Sequence, residues 1–160
     1  MTQNIDERLG AIVAQKKAHD EAEIAAQDAS KRQAEEDMKA KAVMKKKIEH
    51  LFLRITEASI RINEKIKADG ININVDNSRR EDSSYLAQFQ CMVFLDGRDS
   101  GMKLVLNVMD KGKVRPVQLI PHSGPSLNDI HIDNLDAENV MTLLVDFLEL
   151  AISELRKKKR

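Results

Sequence analysis

Ile66-Lys67-Ala68-Asp69-Gly70-Ile71-Asn72-Ile73-Asn74-Val75 is the stretch on which the fold turns. Before it, apolar residues recur every three or four positions; after Gly70 they recur every second position. The first period marks one face of a helix, the second one face of a strand. Gly70 stands at the change. A glycine there can adopt the left-handed C′ conformation, and Ile71 then meets Ile66 in the apolar contact of a Schellman stop. Lys65 and Lys67 complement the negative end of the helix dipole.

Upstream, Ala11 to Asp69 contains neither Gly nor Pro and is rich in Ala, Lys, Glu, Ile and Leu. That composition predicts one long helix over residues 1–69. Asn4 is placed to cap it, with Glu7 at capping-box spacing. At full length such a rod would measure about 95–100 Å. Ala11, Ala14, Ala18, Ala22, Ala25 and Ala29 form a small-residue stripe that buries little area. Residues 31–47 are strongly charged, with opposite charges at i,i+4, and read as a solvated section.

From Met44 the pattern sharpens. Met44, Ile48, Leu51, Ile55, Ala58 and Ile62 alternate by four and three. This heptad seam predicts a coiled coil, most simply a parallel homodimer, with these six residues as its interface. Lys47, Arg54 and Arg61 lie at g, opposite Phe52, Ser59 and Ile66 at e, so the usual interhelical salt bridges are missing. Phe52, Leu53, Ile60 and Ile66 make the helix apolar on further sides. These four are expected to pack the rod against the protein's own head.

Residues 70–160 carry five of the six Gly and all three Pro. Ile71–Val75, Tyr85–Asp96, Met102–Met109 and Val114–Ile120 read as strands, and 76–84, 97–101 and 110–113 as turns or loops. Short loops imply an antiparallel meander. Pro116 marks an edge or a bulge. Ile130 and Ile132 allow a further short strand. The last helix is expected over 136–157, with Asp136 as N-cap and Leu135 stapled to Val140. Its stripe of Val140, Leu143, Leu144, Phe147, Leu148, Ala151, Ile152 and Leu155 should cover one sheet face. Met92, Phe94, Val105 and Met109, on the other parity, imply a second face covered by the Ile48–Ile66 section or by another subunit. The fold class is therefore α+β: a long N-terminal helix, then a small antiparallel-sheet head under a C-terminal amphipathic helix.

The 26 basic and 26 acidic side chains cancel. The cancellation joins a near-neutral rod, an acidic head over 71–155 (7 basic, 13 acidic) and the basic tail Arg156-Lys157-Lys158-Lys159-Arg160. No apolar run approaches the ~20 residues of a membrane span. The first residues lack a secretory pattern, and the lone Cys91 excludes an internal disulfide, so a reducing, cytoplasmic setting is expected.

Sites of chemistry are sparse. Asp129, His131 and Asp133 alternate and, with His122, offer nitrogen and oxygen ligands, but without the spacing of a metal motif. His122-Ser123-Gly124 lacks a nucleophile elbow. Cys91 sits in the strongest strand and reads as structural. The two glycines of Gly97–Gly101 join strands and open no helix, so they do not cradle phosphate. No catalytic residue, cofactor or metal is assigned. The expected function is that of a non-enzymatic assembly protein, dimerising through the helix and presenting its head to a protein partner. Nucleic acid is the less favoured partner, reached by the tail (residues 156–160) and the Lys39–Lys47 cluster.

Overall fold

A computed structural model describes residues 4–77, 85–121 and 127–158, with side chains through Leu155. Helix α1 spans Ile5–Ile66. Asn4 caps it, its Oδ1 accepting from the Asp6 N–H at 3.1 Å. A 3-10 turn, Lys67–Asp69, closes it, and Gly70 takes φ +79 as expected of the stop. A Cβ at Gly70 would collide with the Asp96 carboxylate, while the Gly70 carbonyl accepts from the Asp96 N–H at 2.8 Å.

Five strands follow: β1 Ile71–Asn77, β2 Ala87–Leu95, β3 Arg98–Val108, β4 Lys113–Leu119 and β5 Ile130–His131. They form one antiparallel sheet in chain order, the expected meander. Helix α2, Ala137–Lys158, ends the described chain. Its start is as expected. Asp136 Oδ1 accepts from the Asn139 N–H at 2.8 Å, and Leu135 and Val140 are both buried.

The β2–β3 turn is tighter than the 97–101 loop expected. Leu95 pairs directly with Arg98, leaving only Asp96 and Gly97, both at positive φ. This is the type I′ geometry that Asp-Gly favours. Ser100 and Gly101 instead lie within β3 at a bulge, where the register shifts opposite Val93 and the Ser100 hydroxyl donates to the Val93 carbonyl. Pro116 does mark an edge: β4 pairs with β5 only at Lys113 and Val114.

The chain divides into two units, Met1–Val43 and Met44–Arg160. The division falls inside α1, so its last six or so turns belong with the sheet. There the faces of the helix are exchanged relative to expectation. Leu51, Ile55, Ala58 and Ile62, predicted for a partner helix, lie in the protein's own core with Ile73, Phe89, Leu104 and Phe147. Ile48 packs partly against the same core, and Met44 is half-buried. Leu53 and Ile60, predicted to face the head, are 56% and 53% exposed. Phe52 and Ile66 do pack on the head, Phe52 with its ring centroid 5.4 Å from that of Phe89. The physical reason is that a three–four period records a buried stripe and not what buries it. A sheet serves as well as a second helix.

Both helices lie on the same sheet face. The core joins them to one strand parity: Ile73 on β1, Phe89 and Cys91 on β2, Leu104 and Leu106 on β3, Val114 on β4. This corrects the expectation that the helices take opposite faces. The other face carries Asn72, Asn74, Gln88, Gln90, Lys103 and Arg115 among its apolar residues.

Three polar contacts fasten α1 to the head. Lys47 Nζ lies 2.8 Å from Asp133, and Arg54 donates to the Leu135 carbonyl at 2.9 Å. Asn63 makes the third: its Oδ1 accepts from the Ile73 N–H at 2.8 Å and its amide donates to the Ile73 carbonyl at 2.9 Å. A strand neighbour would satisfy Ile73 in the same way, so Asn63 blocks the free edge of β1 there.

Three stability outcomes are expected in urea titrations. Ile55→Ala should cost about 2–5 kcal/mol, as a buried cavity does. Ile60→Ala should change stability by no more than about 0.5 kcal/mol, as at other surface positions. Asn63→Ala should cost about 1–3 kcal/mol by leaving Ile73 polar groups unpaired.

Candidate functional site

Asp129, His131 and Asp133, which the sequence offered for chemistry, are engaged in structural contacts. Asp129 accepts from Arg115 through both carboxylate oxygens, at 3.1 and 3.3 Å. That guanidinium holds the Asp129 carboxyl below its ordinary value. Asp133 is paired with Lys47, whose ammonium likewise lowers it. His131 Nδ1 accepts from the Asp133 N–H at 3.1 Å, so that lone pair is taken. Asp129 and His131 border a hollow of about 400 Å³ with Tyr85, Asp110 and Lys113, and the Arg115 guanidinium already answers Asp129. No group of three or more His, Cys, Asp or Glu side chains suited to a metal occurs among the described residues. His122, Ser123 and Gly124 lie outside the described residues, as do the side chains of Arg156, Lys157, Lys158, Lys159 and Arg160. Cys91 is fully buried, and burial pushes its thiol up to about 12. Of the Lys39–Lys47 cluster, Lys47 is drawn into the head by Asp133.

Two apolar surfaces stand out among the described residues, one in each unit. The first is a groove of about 620 Å³ between the end of α1, the start of β1 and α2. That volume is within the range of ligand-sized clefts. Its floor is Ile62 and Leu148; Ile66 and Ile71 wall one side, and Met141, Val145 and Ile152 the other. Arg61 and Lys65 stand on the α1 lip and Glu149 on the α2 lip. All three are exposed. The groove arises because α1 ends at Gly70 while α2 continues beside it, and because α2 is apolar over more than one stripe. Sequence reading placed Ile62 in a helix seam and Ile66 at the rod–head junction, and so missed the groove. The signal was present in α2, where Met141 and Val145 widen the apolar face beyond the expected stripe that already held Ile152.

The second surface belongs to residues 5–43 of α1. None of these residues is buried. Ile5, Leu9, Ile12 and Val13 are 69%, 53%, 60% and 66% exposed and follow one another around a single helix face. The face ends at Lys16, which turns to Asp20 at 3.3 Å, and His19 and Glu23 form the next pair. Ile24, Met38 and Val43 are further exposed apolar side chains along the helix.

Comparison with protein-family models, with curated proteins and with solved structures finds no match for this chain. No described helix is long and apolar enough to cross a membrane.

Two measurements check the side-chain states. Cys91 should resist a thiol reagent in the native protein and react at the rate of unfolding, accelerating in urea. Asp133, with its lowered value, stabilises the attachment of α1 above the unfolded carboxylate range, and this contribution is lost as pH falls through its folded value. Asp133→Asn should therefore be less stable than the parent at neutral pH, with the difference vanishing in acid unfolding curves.

Proposed function

We propose that this protein is a non-enzymatic assembly protein that associates with copies of itself through residues 5–43 of α1 and presents its α+β head to a protein partner. One observation carries the reading: a helix section ten turns long, with large apolar side chains, has no buried residue. Helices of globular proteins draw most of their stability from packing an apolar face. Contiguous exposed apolar surface is the mark of an interaction site. The near-neutral charge of this section opposes neither self-association nor close helix approach, and i,i+4 pairs such as Lys16–Asp20 keep its remaining faces solvated. The interface is therefore assigned upstream of the Met44–Ile62 seam, whose central residues serve the head.

A non-enzymatic role fits the engagement of Asp129, His131 and Asp133 in structural contacts, and the depth of Cys91. Sedimentation equilibrium on the full chain tests the reading. The mass should exceed the 18.1 kDa of one chain and fall towards it on dilution. Leu9→Glu with Ile12→Glu should leave a folded monomer, the head's unfolding curve unchanged. A monomer at every concentration in the parent protein would remove self-association. Salt-dependent binding to DNA or RNA, lost when residues 156–160 are deleted, would favour a nucleic-acid role instead.

A further inference from the structure

We infer that the groove between α1 and α2 receives the N-terminal helix stripe, Ile5 to Val13, of a second copy of this chain. The inference rests on the self-association proposed above and names the surface that completes it.

Four features on the two surfaces match. The first is chemistry: the stripe offers only branched aliphatic side chains, and the groove is walled by apolar ones, Ile66, Ile71, Val145 and Ile152 with Met141. The second is length. At 1.5 Å per residue the stripe runs about 12 Å along its helix, and the groove follows α2 from Met141 to Ile152, about 16 Å. The third is where the stripe stops. Lys16, next on that face, is ion-paired with Asp20 and would project a charge into the floor if the contact ran further.

The fourth is charge. At 100° per residue, Asp6 flanks the stripe on one side and Arg8 on the other. The groove carries Arg61 and Lys65 on one lip and Glu149 on the other. None of these groups has an ion-pair partner among the described residues. One direction of docking sets Asp6 beside the two cations and Arg8 beside Glu149; the reverse direction sets like charges together. The flanks therefore fix polarity as well as register.

The contact joins unlike surfaces of two copies, so it is heterologous. Mixing of full-length variants separates it from a symmetric helix pair. Leu9→Glu damages the stripe and leaves the groove; Val145→Glu damages the groove and leaves the stripe. Each alone should raise the concentration of half-association at least about tenfold. An equimolar mixture should associate more strongly than either variant alone and stop at a one-to-one pair of twice the 18.1 kDa chain mass, because one good stripe and one good groove remain. Arg8→Glu and Glu149→Arg, both at exposed sites, provide a second test independent of core damage: each weakens association, and the double variant restores it.

Association lost in Leu9→Glu but unchanged in Val145→Glu and in Glu149→Arg would overturn the groove contact and leave self-association through α1 standing. The groove would then belong to another occupant, an apolar small molecule or a foreign helix. A mixture that associates no more strongly than either variant alone, or a charge reversal without rescue, also overturns it. A parent chain that never associates removes both readings.

Discussion

The head depends on one contact: the Leu51–Ile62 stripe of α1 lying on the sheet. A meander of five strands about 4.8 Å apart is about 19 Å wide. Packed helices sit about 8–10 Å apart, so two of them cover such a sheet and one does not. With α2 alone, Ile73, Cys91 and Val93 at the β1–β2 side would lack a lid. The end of α1 supplies it. The unit boundary consequently falls at Val43 and not at the end of the helix. Residues 44–66 share a helix with the N-terminal section but share a core with the sheet.

The same contact settles the edges. Laying α1 beside β1 brings Asn63 to the outer N–H and C=O of Ile73, and the side-chain amide takes the place of a sixth strand. The opposite border is treated differently. There β5 is only two residues long, Pro116 lacks a donor, and Arg115 and Lys113 place charge along the strand. Short partners, proline and charged side chains are recognised ways to keep an edge from pairing with another chain. Both borders therefore resist strand addition.

Much of this architecture could be read from residues in order. The change of period at Gly70, the caps at Asn4 and Asp136, the Leu135–Val140 staple and the meander are local features. Each depends on positions a few residues apart. What could not be read was pairing between distant elements. Met44 to Ile62 shows the period of a coiled coil, yet the same period serves a helix lying on a sheet. Leu53 and Ile60 are apolar and still face outwards, since the opposite stripe fills the core. Val105 is buried on the sheet face away from the two helices, between Gln90 and Val117 across the strands. The missing salt-bridge partners of Lys47, Arg54 and Arg61 were the best local warning. Lys47 and Arg54 reach residues 133 and 135, and Arg61 stands on the groove lip. The widened apolar face of α2 was legible, but not its joining to α1, because the groove walls come from residues some eighty positions apart.

Heterologous contact has a consequence for the kind of assembly. A stripe-to-groove joint uses one surface of each copy and leaves the complementary surface free. Either a second joint closes the pair about a two-fold axis, or a third chain adds and the assembly grows. Closure makes the second joint intramolecular and raises its effective concentration, so that two weak joints hold as one strong one. Growth carries no such advantage and is broken by dilution. Weak individual joints therefore favour the closed pair wherever the geometry allows it. The flanking charges act in the same direction. Asp6 and Arg8 must both find their partners, so an off-register joint loses attraction on both lips at once. A short stripe of four aliphatic side chains is promiscuous by itself; bracketed by opposite charges, it has a single preferred seat.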